Sequence, residues 1–384
     1  MLPHCPHLPP CDGCPRFRQP GIASEALERL QALAERAACN LGAVAFGNPL
    51  GYRLRARLAV RGTAREPKIG LFQEHSHNIV DIPRCVIHHP LVNQAAAALK
   101  SALRETGIAP YHDQRHSGLV RYVQVVVERA TETVQIVVVG NSESPEPVAG
   151  LLEALRLRLG EQLHSIWFNG NTSKHNVILG STWQLWCGPG AVVEVLGGAR
   201  VHYPPDAFGQ ANLELFERVV AQIHGFVPEA ARIVEYHAGV GAIGLGLLRE
   251  SRSLACVEIA PGGLRGLELG RLDLPDGLRE RLRIHAGASA AHVHLLTDAD
   301  FVIVDPPRKG LEAALTEELS KVAAAAGSSP PRRLVYLSCG LDSFLRDVDA
   351  LLASGRWRLA QLDPYAFFPF TPHVETLALL EQRA

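Results

Sequence analysis

Three short segments in the last third of the chain hold the residue types that covalent catalysis on a planar ring requires. Leu337-Ser338-Cys339-Gly340 offers a thiol where a β-rich run ends, and Phe368-Pro369-Phe370-Thr371-Pro372-His373-Val374-Glu375 offers a carboxylate. A thiolate can add to an electrophilic carbon while a nearby carboxylate takes a proton. Upstream, Asp305-Pro306-Pro307-Arg308-Lys309-Gly310 sets a carboxylate at the end of another strand-like run. Its two prolines lock φ and carry no N–H, so the loop is stiff and holds Asp305 in one place. Each residue also has a plain alternative. Taken alone, Cys339 reads as a core thiol, Glu375 as an exposed strand residue and His373 as a structural hydrogen-bond donor.

A fourth segment, Glu235-Tyr236-His237-Ala238-Gly239-Val240-Gly241-Ala242-Ile243-Gly244, has the order strand, glycine turn, helix. Doubly wound sheets present nucleotide-like ligands at such a turn. Glu258 lies about 20 residues on, where an acid can accept hydrogen bonds from a ribose diol. This geometry serves NAD and S-adenosylmethionine alike, and a tight turn packing helix on sheet is the structural alternative.

The elements that must position these residues change character near residue 200. Before it, a proline-rich arm leads to an amphipathic helix within Ser24 to Ala38, alternating segments from Tyr52 to Asp81 and a helix over Leu91 to Ala102. The β-branched runs Val120 to Glu128 and Val134 to Gly140 predict a hairpin. A helix through Leu151 to Leu163 follows, then strand-like segments near Ile166, Val177 and Val192. After Tyr203, strands alternate with helices. The helices fall near Leu245 to Leu248, Leu264 to Leu269 and Leu311 to Ala326, and two last strands near Trp357 to Asp363 and Val374 to Glu381. The expected fold class is therefore α/β. Residues 1–200 form an α+β domain carrying a cysteine group, and residues 201–384 a doubly wound, Rossmann-like sheet.

A length of 384 residues suits two cores, and 47% hydrophobic with 20% charged residues excludes a disordered chain. No apolar run spans a bilayer and the N-terminus has no apolar signal core, so a cytoplasmic protein is expected. The net charge of −1 hides a basic stretch of Arg53, Arg55, Arg57, Arg61, Arg65 and Lys68, opposed only by Glu66. The alternation at 53, 55 and 57 puts three arginines on one strand face, which reads equally as a solvated face or an RNA contact.

Taken together, DPPRKG at 305–310, the Ser338-Cys339 pair followed by Arg346-Asp347, and FPFTPHVET at 368–376 resemble the RNA uracil-C5 methyltransferases. Phe208-Gly209-Gln210-Ala211-Asn212 is similar to that family's F-x-Q-x-N segment, and Asn176 to Gly180 to its N-V-I-L-G segment. The resemblance spans essentially the whole chain. It implies S-adenosylmethionine as methyl donor, Cys339 as nucleophile and Glu375 as general base. It also implies cofactor contacts at Gln210, His237, Gly239, Gly241, Glu258 and Asp305, with Asp305 nearest the target uracil. Such a base must leave its stack to reach a thiol, which favours a loop or unpaired nucleotide in structured RNA.

Cys5, Cys11 and Cys14, with Cys85 downstream, have the spacing by which this family holds a 4Fe–4S cluster. Four thiolates also suit zinc, and His4, His7, His88 and His89 keep that alternative open; the resemblance favours the cluster. The chain begins at the cysteine arm, without the extra β-barrel of some relatives. It is thus most similar to the cluster-containing members that act on 23S ribosomal RNA, and a monomer is the simplest assembly. Transfer RNA is the alternative substrate. Some positions depart from the family pattern. His237 stands where cysteine is usual, Gly340-Leu341-Asp342 replaces Asn-Pro and a threonine, and Ala366 replaces an aspartate. Two readings from other classes follow: a catalytically silent RNA-binding relative, and an NAD-linked iron–sulfur oxidoreductase.

Overall fold

The structure, a computed structural model, describes residues 4–383 except 77, 249–252 and 322–330. In chain order, helix α1 (Ser24–Arg36) comes first. Strands β1 (Arg55–Gly62), β2 (Pro67–Phe72) and β3 (Ile79–Asp81) lead to α2 (Pro90–Thr106). The strands β4 (Val120–Glu128) and β5 (Thr133–Gly140) precede α3 (Ala149–Leu159), β6 (Leu163–Gly170) and β7 (Thr182–Cys187). Short strands β8 (Val192–Leu196) and β9 (Ala199–Tyr203) lead to α4 (Leu213–Phe226), β10 (Arg232–Tyr236) and β11 (Ser253–Glu258). Then come α5 (Pro261–Leu272), α6 (Asp276–Arg279), β12 (Leu282–Ala286), β13 (Phe301–Val304) and α7 (Ala313–Ser320). The chain closes with β14 (Arg333–Ser338), α8 (Leu341–Ala353), β15 (Trp357–Tyr365) and β16 (Glu375–Gln382). No described helix is long and apolar enough to cross a membrane.

The chain divides into two compact units. Unit 1 comprises Met1–Pro15, Asn48–Glu194 and Gln210–Asn212; unit 2 comprises Arg16–Gly47, Val195–Gly209 and Leu213–Ala384. Unit 1 is built on a seven-stranded sheet of order β3-β2-β1-β4-β5-β6-β7. Its pairings are antiparallel except the parallel β5–β6 pair. The valine-rich β4 and β5 are buried along nearly their whole length, as central strands covered on a face by α2 must be. Val177, read as strand-like from its neighbours, lies instead in a loop. There Asn171 Nδ2 donates to the carbonyls of Val177 and Ile178, at 2.7 and 3.0 Å, and spends the groups a ladder would use.

Unit 2 carries a seven-stranded sheet of order β12-β11-β10-β13-β14-β16-β15. Strands β10 to β14 run parallel, and β16 inserts antiparallel between β14 and β15. The strand order reverses between β10 and β13, which opens a crevice at their carboxyl ends. Helix α1 belongs to this unit. Its apolar face, Leu30, Leu33 and Ala34, is fully buried in the core with Val302, Phe344, Val348 and Leu362. Exposing that face would cost roughly 1.5–3 kcal/mol per leucine, which fixes the helix to this sheet. The helix expected near Leu245 to Leu248 is a single 3₁₀ turn, Leu245–Leu247. The helix expected over Leu311 to Ala326 is α7 within the described residues; its last part, 322–326, lies outside them.

Candidate active site

In unit 2 the register of two strands brings the thiol and the carboxylate together. Ser338, the last residue of β14, pairs with Thr376 of β16, so the next rung sets Cys339 opposite Glu375. Val304 of β13 pairs with Tyr336 of β14, which places Asp305 at the same carboxyl edge. Arg308 and Cys339 line a cavity of about 360 Å³ together with Ala26 and Arg29 of α1 and with His373.

The electrostatics of the group follow from crowding three acids into little solvent. Burial pushes the Cys339 thiol up to about 11; the Glu375 and Asp305 carboxylates push the same way, while Arg308 opposes them. Glu375 is 2% exposed, and burial, with Asp305 beside it, holds its carboxyl well above the usual carboxylate range. Its Oε1 is buried with no hydrogen-bond partner. Burial lifts Asp305 to about 7. In the resting site the thiol and Glu375 therefore both keep their protons, and Arg308 is the group that favours a thiolate.

The loop carrying Asp305 and Arg308 is clamped from α8. Asp347 Oδ2 accepts from the Leu311 N–H (2.7 Å) and the Tyr336 hydroxyl (2.8 Å). Its Oδ1 accepts from Arg346, whose other nitrogen reaches the Lys309 carbonyl at 2.8 Å. Ser343 Oγ donates to the Arg308 carbonyl at 2.8 Å. Sequence reasoning assigned no role to Arg308, Ser343 or Asp347; the Arg346-Asp347 pair was the signal available. On the far side, the FPF segment is held by the chain ahead of α1. The N–H groups of Arg16 and Gly21 donate to the carbonyls of Phe370 and Pro369, and Phe17 packs on Phe370 at 4.7 Å between ring centroids.

At the strand reversal, His237, Gly239 and Gly241 all have positive φ, which turns the chain sharply out of β10. The Glu258 carboxylate is fixed by three backbone N–H groups: Gly239 at 2.6 Å, Ile259 at 2.8 Å and Ala260 at 2.5 Å. A Cβ on Gly239 would meet nothing within 4 Å, so the turn faces open space. His237 Nε2 lies 3.1 Å from Ser289 Oγ, its Nδ1 is buried without a partner, and burial lowers its pKa. An oriented acid, an open turn and an orphaned ring nitrogen fit a nucleoside ligand with ribose hydroxyls. Gln210 belongs to unit 1.

In unit 1, Cys5, Cys11, Cys14 and Cys85 are free thiols lining one pocket of about 160 Å³, along with Leu8, Leu71 and Ile82. Burial and then the neighbouring cysteines push Cys14 up to about 12, and burial raises Cys11 and Cys85. His88 lines the same pocket and is held neutral, its pKa lowered by burial to about 4. His7 and His89 each accept a backbone N–H, from Arg84 and Leu91. Among the described residues, however, no group of three or more Cys, His, Asp or Glu side chains is placed to hold a metal ion. The four thiols share a pocket.

Comparison with known proteins places this arrangement. No family model matches the chain. A solved structure with the same overall fold is the tRNA (uracil-54, C5)-methyltransferase of Pyrococcus abyssi in complex with S-adenosyl-L-homocysteine. It aligns with a TM-score of 0.76 and 24% identity, over 96% of this chain and 84% of that one. The fold is that of the Rossmann-like methyltransferases. An RNA methyltransferase of Protochlamydia amoebophila is 35% identical over 387 residues, 98% of this chain and 97% of that protein. Another, of Geobacter sulfurreducens, is 32% identical over 99% of this chain and 77% of its own length. The chain belongs to this family of RNA methyltransferases.

Proposed function

We propose that this protein methylates carbon 5 of a uridine in RNA, 23S ribosomal RNA first among the substrates, acting as a cytoplasmic monomer. The observation that carries the reading is the register of β14 on β16, which sets a thiol and a buried carboxylate side by side next to Asp305. Uracil C5 is too poor a nucleophile to take a methyl group directly. Addition of the Cys339 thiolate to C6 moves the ring π electrons onto C5 and the O4 oxygen, and C5 then forms the new carbon–carbon bond. S-adenosylmethionine, held at Glu258 and the turn of His237, Gly239 and Gly241, would supply the methyl group and leave as S-adenosylhomocysteine when its S–CH3 bond breaks. Glu375 as carboxylate then removes the C5 proton, the C6–S bond breaks and the thiolate is regenerated. Covalent addition thus divides one difficult substitution into easier steps.

Two protons must leave the resting site for solvent, that of the Cys339 thiol before attack and that of Glu375 before it takes the C5 proton. Ionising a thiol of pKa about 11 at neutral pH costs on the order of 5 kcal/mol. Arg308 offsets part of that, and a protonated carboxyl beside the sulfur avoids like-charge repulsion during attack. Asp305, stiffened by its prolines, is placed to accept from the N3–H edge of the ring.

Cys5, Cys11, Cys14 and Cys85 are the residues that would hold a 4Fe–4S cluster, in preference to zinc. The support is that the four thiols line one pocket, where burial and then the three neighbouring cysteines push Cys14 up, a repulsion that metal ligation removes. Such a cluster would tie the N-terminal arm to unit 1; nothing in the transfer chemistry calls for an electron. Anaerobic reconstitution with iron and sulfide should give stoichiometric cluster in the unaltered chain and none in Cys11→Ser.

The decisive experiment is mass spectrometry of 5-methyluridine in ribosomal and transfer RNA from cells with and without the gene. Loss of one 23S site supports the reading, loss of a tRNA site moves the substrate, and no loss removes the activity. Incubation with 5-fluorouridine RNA and S-adenosylmethionine should leave a denaturation-resistant adduct on Cys339, because fluorine cannot leave as a proton does. A silent RNA-binding relative would form none.

A further inference from the structure

Unit 1 contains a second cavity, of about 560 Å³, that none of the chemistry above uses. Its size lies within the roughly 300–1,000 Å³ of small-ligand sites. Ala59 of β1, paired with Gly70 of β2 on one side and with Tyr122 of β4 on the other, lines the cavity, so a small side chain stands beside an aromatic ring. Phe72 and Tyr111 add two further rings. Behind them, the Arg61 guanidinium lies 5.1–5.4 Å from the centroids of all three and is bound at both ends by Asp113, at 2.7 Å each. The carboxylate lining the cavity is thereby neutralised, and the rings are locked in place.

The rim is basic. Arg57 reaches it from β1, where it is held by Gln124, and the loop after β6 brings Lys174 and His175, both exposed. That loop is carried by Arg121, 4% exposed, which donates to the carbonyls of Asn171 and Ser173 at 2.6 Å and stacks over Tyr111 at 4.6 Å. Arg121 Nε is buried at the cavity without a hydrogen-bond partner. An unpaired guanidinium N–H in a low-dielectric wall favours an incoming oxygen acceptor.

We propose that this cavity binds one unpaired nucleotide of the RNA strand other than the one methylated, its base against Tyr122 and Phe72 and its phosphate at Lys174 and Arg57. Flat rings with a cationic rim are what a base and its backbone charge require, and stacking on an aromatic face is tolerant of base identity. The Asn176–Gly180 segment thereby gains a role as the wall that presents Lys174 and His175. The inference rests on RNA being the substrate.

The test uses the full chain, a labelled single-stranded oligouridylate of about ten nucleotides, and uridine 5′-monophosphate alone. Lys174→Ala, an exposed position, should weaken oligonucleotide binding and lower the salt slope of log K by about one. Tyr122→Leu should weaken it by about 5- to 150-fold. Binding of S-adenosylhomocysteine should be unchanged in both. If both variants bind the oligonucleotide as the unaltered chain does while RNA is still methylated, the cavity assignment fails alone. If the unaltered chain neither binds RNA nor methylates it, this inference and the proposed function fail together. Should the monophosphate bind as tightly as the oligonucleotide, the site serves a free nucleotide and the assignment to an RNA strand is overturned.

Discussion

Cys339 stands one rung beyond the Ser338–Thr376 pair, opposite Glu375, so a single antiparallel register joins the two groups the chemistry needs. Thr376 Oγ1 also reaches the Ser338 carbonyl at 3.4 Å and holds the two strand ends in step. Cys339→Ala should form no adduct with 5-fluorouridine RNA. Glu375→Gln should lower turnover by about 10²- to 10⁴-fold, the usual worth of a positioned base. It should also accumulate a covalent complex with ordinary RNA, because the C5 proton stays on. Gel mobility under denaturing conditions reads both, and a Glu375→Gln variant that turns over normally would remove Glu375 from the mechanism.

The groups around the thiol give different predictions for two neighbours. Arg308 lowers the Cys339 pKa against a larger upward push from burial. Arg308→Ala should therefore raise the apparent thiol pKa, whereas Glu375→Gln replaces a carboxyl that already holds its proton and should leave it unchanged at neutral pH. There, alkylation by iodoacetamide should slow several-fold in the first variant, for roughly 1 kcal/mol of charge interaction, and keep its rate in the second. Equal slowing in both variants would mean that access governs the reaction, not charge.

Asp347 supports the site without touching it. Replacing it by alanine strands the Leu311 N–H and the Tyr336 hydroxyl in the core, each worth roughly 1–3 kcal/mol. Arg346 loses its carboxylate at the same time. Asp347→Ala should lower stability by about 2–5 kcal/mol in denaturant titrations. Asp347→Asn, which still accepts through its oxygen, should recover part of the stability and of kcat. If the alanine variant were as stable as the parent, the clamp on the 305–311 loop would have no energetic basis.

Much of unit 2 was legible because local rules suffice there. Alternating strands and helices announce a parallel sheet, and Asp305 and Cys339 fall at carboxyl ends by counting alone. The meeting of Cys339 with Glu375 was legible only through family resemblance, since β16 must insert between β14 and β15 and no local pattern encodes that order. Helix α1 shows its apolar stripe in sequence, but a stripe does not say which sheet it covers. Val177 misled because its β-branched neighbours resemble a strand, while Asn169 and Asn171 fix the loop by side-chain hydrogen bonds. The cavity rimmed by Arg57 and Lys174 draws on strands and a loop more than 100 residues apart, beyond any window of periodicity.

Glu235, under the glycine turn, carries the last prediction. It is 2% exposed, with Cys256 Sγ 3.7 Å from its Oε2. Burial, then the Asp305 charge, pushes its carboxyl up to about 8. An acid whose folded pKa lies above its unfolded value binds more protons when folded. Its contribution to stability is complete below the unfolded value, near 4.5, and is lost as pH rises through about 8. The parent should therefore lose on the order of a few kcal/mol between about pH 5 and pH 8 through this group. Glu235→Gln keeps the shape and cannot ionise, so its stability should fall less across the same window. The two denaturation curves should converge near pH 5 and separate at pH 8, with the variant the more stable. A constant difference across that range would mean that Glu235 does not titrate there and that its proton is held by something other than burial.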